Sequence, residues 1–234
     1  MNNIVEFKNV FKTYKLGDNE VHAINDLSFT IKEKELCIIL GPSGAGKTTI
    51  LNLLGGMDQS SKGDIIINDN NISKYNEKQL TLYRRNEIGF VFQFYNLISN
   101  LTALENIEIA TELKKDSLNP LKIIDLVGLK ERKDNFPSQL SGGEQQRISI
   151  ARAIAKNPQI LLCDEPTGAL DYQTGKKVLK VIHDITKKQN KTTIIVTHNQ
   201  ALKEMADHVI YIKNGKVEKE EFNDNPKDIE LIEW

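Results

Sequence analysis

The sequence predicts an α/β protein with a mostly parallel sheet, an antiparallel β region at its amino end and an inserted helical region. Three observations carry that prediction. Apolar runs of strand length alternate with stretches of helical spacing. One such run, Leu36–Leu40, is followed by a glycine-rich stretch, Gly41-Pro42-Ser43-Gly44-Ala45-Gly46-Lys47-Thr48-Thr49, and then by Ile50–Leu54, which has helical spacing. The segment 97–155 shows helical spacing throughout, with no strand candidate inside it. A glycine loop at the carboxyl end of a strand places a site at that edge of the sheet.

Taken in order, Ile4–Phe11 alternates apolar and polar residues and predicts an antiparallel strand with one wet face. Val21–Ile31 predicts a second, after a turn at Leu16-Gly17-Asp18-Asn19, with Tyr14 lying between the two. After the glycine loop and its helix come a turn at 56–63, a short strand at Asp64–Asn68, a polar helix at Glu77–Asn86 and a buried strand at Ile88–Phe92. Within 97–155 the spacing predicts helices at Leu101–Leu113, Leu118–Leu129 and Gly142–Ala155, with breakers at Asn119-Pro120 and Asn135-Phe136-Pro137. Strand–helix alternation then resumes. Gln159–Cys163 is a strand, Asp171–Lys188 an amphipathic helix, Thr192–Val196 a β-branched strand and Gln200–Ala206 a short helix. His208–Lys213 and Lys216–Lys219 flank Asn214-Gly215, a strong hairpin signal. The segment 220–234 reads as an acidic tail in which Ile229, Leu231, Ile232 and Trp234 could form a docking turn. The expected organisation is one domain, 1–234. Its core spans 1–96 and 156–219, its helical subdomain 97–155 and its tail 220–234.

A net charge of -1 supplies no global basic field, so nucleic acid is not an expected partner. Cys37 and Cys163 both lie in apolar strand-like runs and read as inert core thiols, not as a disulfide or metal set. The first eight residues carry charge where a signal peptide needs an apolar stretch, and no apolar run is long enough to span a bilayer. The expectation is a cytosolic chain that works at a membrane only through a partner that spans it.

The chemistry starts at the glycine loop. Glycines let the backbone wrap a polyphosphate closely, and successive N–H groups and the helix start then point at the anion. Lys47 can reach the outer phosphates and the Thr48 hydroxyl can hold Mg²⁺. A carboxylate is needed for the metal, and Asp164, ending the run from Ile160, is the candidate. Glu165 beside it is then available to orient or deprotonate water. His198 ends the Thr192–Thr197 run and can donate to a γ-phosphate or to the lytic water. Gln93 ends a third strand and can reach metal or water through its amide. His22, His183 and His208 receive no function. Tyr14 admits two readings, a half-buried strand aromatic or a stacking platform for a purine base. Leu140-Ser141-Gly142-Gly143-Glu144-Gln145-Gln146-Arg147 has the form of a capped helix start, which is either an ordinary cap or a second anion site.

These elements in this order resemble the ATP-binding cassette (ABC) ATPase family. They are the loop through Thr49, Gln93, Leu140–Glu144, Ile160–Glu165 and His198, and the likeness covers nearly the whole chain. The details Glu165-Pro166-Thr167-Gly168-Ala169-Leu170-Asp171 and Val196-Thr197-His198-Asn199 are similar to a subgroup that powers lipoprotein release, macrolide export and antimicrobial-peptide resistance and includes the cell-division cassette. The resemblance implies a P-loop NTPase core. It implies Tyr14 stacked on adenine and Gly41, Pro42, Ser43, Gly44, Ala45, Gly46, Lys47, Thr48 and Thr49 around the phosphates. Thr48, Gln93 and Asp164 would serve Mg²⁺, Glu165 would be the catalytic base, and His198 would sense the γ-phosphate. Asp171 would lie at a dimer seam. Ser141, Gly142, Gly143 and Glu144 would meet ATP bound to the other copy of an ATP-induced homodimer. Phe94–Ile98 would meet a membrane permease at the cytoplasmic face of the membrane. Three departures are visible: Glu144 stands where many relatives have Gln, Cys163 precedes the metal aspartate, and the run 112–130 is short. A P-loop kinase is disfavoured by Glu165 and by Leu140–Glu144. A cell-division-type cassette that regulates a membrane partner without transport remains the alternative.

Overall fold

The computed structural model describes residues 2–17 and 19–233. Asp18 of the expected turn and Trp234 of the expected docking tail lie outside the described residues. The chain divides into two compact units, Met1–Arg84 with Ile194–Trp234, and Arg85–Thr193.

In the first unit, β1 (Asn3–Leu16) and β2 (Asn19–Lys32) pair antiparallel, and β4 (Lys62–Ile67) with β5 (Asn70–Asn71) completes a sheet of order β2-β1-β4-β5. Alternation buries Val5, Phe7, Val10, Leu27, Phe29 and Ile31 on one face. Phe7 sits opposite Phe29 with the rings stacked at 4.6 Å. Strand β1 runs past the expected end at Phe11 to Leu16, so Tyr14 is paired with Val21 inside the ladder, not between two strands. The reason is a break in register between Phe7 and Val10, where Asn9 takes φ 48° and its side-chain amide donates to Asp26 at 2.9 Å. A bulge of this kind resets which face a side chain occupies and hides the continuation from a period-two reading.

A second sheet of this unit has the order β10-β9-β3-β8, from β3 (Leu36–Leu40), β8 (Thr192–Thr197, whose last four residues belong here), β9 (His208–Lys213) and β10 (Lys216–Phe222). Strands β3 and β9 are parallel, and β9 and β10 form the expected hairpin. The hairpin is longer than expected, because Glu220–Phe222 belong to β10 and not to a tail. Beyond it, Ile229 and Ile232 are buried while Leu231 is exposed. Helix α1 (Lys47–Leu54) follows β3, and α2 (Glu77–Asn86) is tied to its end by the Tyr83 hydroxyl, which donates to the Leu54 carbonyl at 2.6 Å.

The second unit holds parallel strands β6 (Ile88–Val91) and β7 (Ile160–Asp164) with helices α3 (Ala103–Thr111), α4 (Pro120–Leu126), α5 (Gly142–Ala155) and α6 (Tyr172–Lys188). The segment 97–155 lies wholly in this unit. Thr102 caps α3 reciprocally with Glu105, which starts the helix two residues later than the apolar spacing suggests. Asn119-Pro120 is not a break inside α4 but its beginning: Asn119 caps it, and Pro120 occupies the first turn, where no N–H is needed. Cys37 and Cys163 are buried and free, and burial pushes both thiols up, in keeping with inert core residues. Among the described residues no helix is long and apolar enough to cross a membrane.

Candidate functional site

The first unit builds the phosphate loop. Gly44 and Gly46 take φ 78° and 101°, in the left-handed region, and Gly46 forms the start of α1 without a side-chain cap. A Cβ on Gly41 would lie 2.3 Å from the Ile212 carbonyl, and one on Gly46 2.6 Å from the Ala23 carbonyl. The two glycines therefore let β9 and β2 press against the loop from behind. The Gly215 N–H donates to the Ala45 carbonyl at 3.1 Å, and the Asn25 N–H donates to Gly215 at 2.9 Å. The Asn-Gly turn, legible only as a hairpin, thus also holds the loop. Lys47 is buried, its ammonium donating to the Gly41 and Pro42 carbonyls at 2.9 and 3.0 Å. The loop so positions its one cation, and the first-turn amides of α1 complete an anion cradle.

Tyr14 lies beside this loop. Its hydroxyl donates to Asp58 at 2.8 Å, and the Lys12 ammonium sits 4.8 Å from its ring centroid while ion-pairing with the same carboxylate. Burial, then the Asp58 hydrogen bond, raises the Tyr14 hydroxyl above its ordinary value, and Thr49 of the loop also hydrogen-bonds it. Lys12 and Asp58, which sequence reasoning passed over, set the ring's position. They are far from Tyr14 in type and, for Asp58, in sequence, so nothing in the chain alone marks them. His198 is exposed and follows β8, the neighbour of β3, whose end opens the loop.

The second unit builds the carboxylate pair. Parallel register sets Val91 opposite Cys163, so Gln93 and Asp164–Glu165 follow the ends of adjacent strands. Glu165 takes φ 42°, a conformation that costs a non-glycine residue energy and clusters at working sites. Its carbonyl accepts from Gly168 at 3.0 Å, and a Cβ on Gly168 would lie 3.3 Å from the Gln93 amide nitrogen. A tight turn therefore brings Gln93, Glu165 and Gly168 together. Fully buried Gln146 of α5 donates to the Phe92 carbonyl at 3.3 Å, fixing the residue before Gln93.

The second predicted helix start is as expected. Exposed Ser141 caps α5, its hydroxyl and N–H both donating to Glu144 at 2.8 Å, while the Glu144 N–H returns a bond at 3.4 Å. The Ser141 N–H is the main reason the Glu144 carboxyl lies below its usual range. Gly142 faces the Tyr95 hydroxyl, 2.7 Å from where a Cβ would be. Gly143 is buried, and a Cβ there would overlap Thr174 of α6 at 1.9 Å. Its missing side chain thus serves close packing of α5 on α6. Asp171 caps α6, accepting from the Thr174 N–H at 3.1 Å, and its carboxyl is lowered chiefly by the Thr174 hydroxyl. The segment after Gln93 is anchored by Arg152, which donates to the Asn96 and Tyr95 carbonyls at 2.6 and 3.1 Å and leaves Phe94 73% exposed.

The family model described as ABC transporter matches residues 24–168. An ABC transporter ATP-binding protein of Methanocaldococcus jannaschii, MJ0796, is 43% identical over 93% of this chain and 97% of its own length. A Mycoplasma pneumoniae protein named as an ABC transporter ATP-binding protein is 42% identical over 99% of this chain, which spans about half of that relative's length. Among solved structures, the dimeric post-hydrolysis state of the MJ0796 cassette bound to ADP and Pi superposes with a TM-score of 0.85. The match is at 40% identity and covers 93% of this chain and 98% of that one.

Proposed function

The chain belongs to the ABC transporter family, and from that premise we propose that it is an ATP-hydrolysing cassette whose dimerisation on ATP drives a membrane permease. The observation that carries the proposal is the Asp164–Glu165 pair at the end of β7, with Glu165 held at φ 42° and Gln93 on the adjacent strand end.

In this reading the loop amides and Lys47 bind the phosphates of ATP. Tyr14, steadied by Asp58, offers a ring face to the adenine. Glu165 orients and deprotonates the attacking water, and His198 donates to the γ-phosphate. By the family's pattern Thr48, Gln93 and Asp164 would serve Mg²⁺, each with an oxygen of its own: a hydroxyl, an amide and a carboxylate. That all-oxygen set with a single charge fits Mg²⁺, which keeps waters and takes its remaining ligands from nucleotide phosphates. Bound there, Mg²⁺ would neutralise charge on the β- and γ-phosphates. Ser141 and the amides of Gly142 and Gly143 would contact ATP held by the second copy, with Asp171 at the seam between copies. Exposed Phe94 and the segment to Ile98 suit a permease helix at the cytoplasmic face of the membrane. The Glu165–Asp171 and Val196–Asn199 details favour export of lipids, lipoproteins, peptides or drugs.

The test is Glu165→Gln. ATP binding is expected to persist while turnover falls by about 10² to 10⁴, and an ATP-bound dimer is expected to accumulate on size-exclusion chromatography. Turnover close to that of the parent chain would remove Glu165 from the base role.

A further inference from the structure

A chain with a net charge of -1 has its charges nearly balanced, but α6 does not. Its sequence, YQTGKKVLKVIHDITKK, carries five lysines against one aspartate. Lys177, Lys180, Val181 and Asp184 recur at helical spacing on one stripe of it. That stripe forms one wall of a cavity of about 430 Å³, within the second unit and separate from the residues assigned above. Leu126 and Val127, at the end of α4, supply apolar lining with Val181, and Arg147 of α5 also lines the cavity. The volume is that of a small-molecule site.

The residues lining it include three cations, Arg147, Lys177 and Lys180, and one carboxylate, Asp184. Asp184 is ion-paired with Lys188 at 3.0 Å, one turn further along α6. The carboxylate nearest in sequence to Arg147 is Glu144. It is taken up by the Ser141 hydroxyl and N–H and also faces Arg132 at 3.6 Å. Burial depresses the Arg147 guanidinium, with the nearby Glu144 charge partly restoring it, so this cation has lost part of its water. A half-desolvated guanidinium beside two lysines attracts an anion more strongly than a fully hydrated one. The fork of Arg147 suits two phosphate oxygens, while Lys177 and Lys180 supply point charges. Leu126, itself 44% exposed, leaves apolar surface in water that an aliphatic stem would cover.

We propose that this cavity binds a phosphate monoester carrying a short apolar stem, the phosphate on Arg147, Lys177 and Lys180 and the stem on Leu126, Val127 and Val181. Such chemistry is found both in soluble phosphate esters and in the headgroup region of anionic lipids.

The experiment titrates hexyl phosphate into the full chain and follows amide NMR shifts of Val127, Gly128 and Val181. Saturable shifts at these positions are expected. The double variant Lys177→Gln/Lys180→Gln should weaken binding tenfold or more. Both lysines are exposed, so its thermal melt should match the parent's. Lys47→Ala should leave hexyl phosphate binding at these three positions unchanged, because that lysine serves the nucleotide loop. Inorganic phosphate should bind at least tenfold more weakly for want of a stem. Absence of saturable shifts, undiminished binding by the double variant, loss of the shifts in Lys47→Ala, or equal binding of inorganic phosphate would each overturn the proposal. A second arm sediments the chain with phosphatidylcholine vesicles containing phosphatidic acid. Lysine-dependent sedimentation would identify the lipid as the source, and hexyl phosphate binding without sedimentation would identify a soluble ester; both outcomes uphold the shared chemistry.

Discussion

Helix α1 begins at Gly46 in the left-handed region, with no side-chain cap and no acidic residue in its first turn, whereas α5 begins at Ser141 inside a reciprocal cap with Glu144. Both starts present the positive end of a helix, and both carry residues that the proposed function assigns to ATP. The first leaves its amides for a ligand and adds the buried ammonium of Lys47. The second has already committed its hydroxyl and an amide, and it places a carboxylate over its own first turn. An uncapped start with a cation can hold a polyphosphate alone. A self-capped start with Glu144 beside it can add only directional bonds to a phosphate that other groups already neutralise. The difference teaches that the two starts are unequal as anion sites, which suits the proposed arrangement in which the weaker one meets ATP held by a second copy.

Three experiments break or sharpen that contrast. The largest effect is expected from Lys47→Ala, which removes the cation of the stronger site. ATP hydrolysis should fall by about 10² or more, and nucleotide affinity measured by fluorescence titration should fall with it. Retention of tight binding would show that the amides of α1 suffice.

Gly143→Ala comes next. Its new Cβ would overlap Thr174 Cγ2, and Thr174 cannot turn freely because its hydroxyl serves Asp171. The overpacking is expected to cost about 1–3 kcal/mol, read as a lowered melting temperature. Adding Thr174→Ser, which deletes the colliding methyl and keeps the hydroxyl, should restore most of it. Failure of the second change to rescue would place the need for glycine elsewhere than in helix packing.

The smallest effect concerns the α5 cap. Ser141→Ala should cost about 1 kcal/mol at neutral pH. Because the folded-state Glu144 carboxyl is lowered, its contribution is fully present above the ordinary carboxylate value and is lost as pH falls through the lower folded value. The stability difference between parent and variant should therefore shrink only in acid, below the usual glutamate range. A difference that is flat with pH would mean that the Ser141 hydroxyl adds nothing to the hold on the Glu144 carboxylate, whose bond from the residue 141 N–H the variant keeps.

Much of this was legible in the chain. Glu77–Asn86 and Gly142–Ala155 end where apolar spacing and capping chemistry place them, because local hydrogen bonding decides helix ends. The glycine loop, the acidic pair after a buried strand and the Asn-Gly hairpin were readable for the same reason. The full length of β1 was not, since the turn of backbone at Asn9 moves later side chains to the opposite face. The start of α4 was misread because Pro120 both breaks a helix interior and suits a helix start, and only the Asn119 side chain settles which.

The sequence by itself determined which residues are the candidates for the chemistry: Lys47 in its loop, Asp164 and Glu165 at a strand end, and Ser141 at a helix start. These are local patterns, and a few neighbouring residues specify each. Tertiary structure alone decided what holds them. Asp58 steadies Tyr14, the Gly215 amide braces the loop at Ala45, Gln146 fixes the approach to Gln93, and Thr174 requires glycine at 143. Each joins residues that are distant in the chain. The contact exists only after strands have paired and helices have packed, so no window of sequence contains both partners.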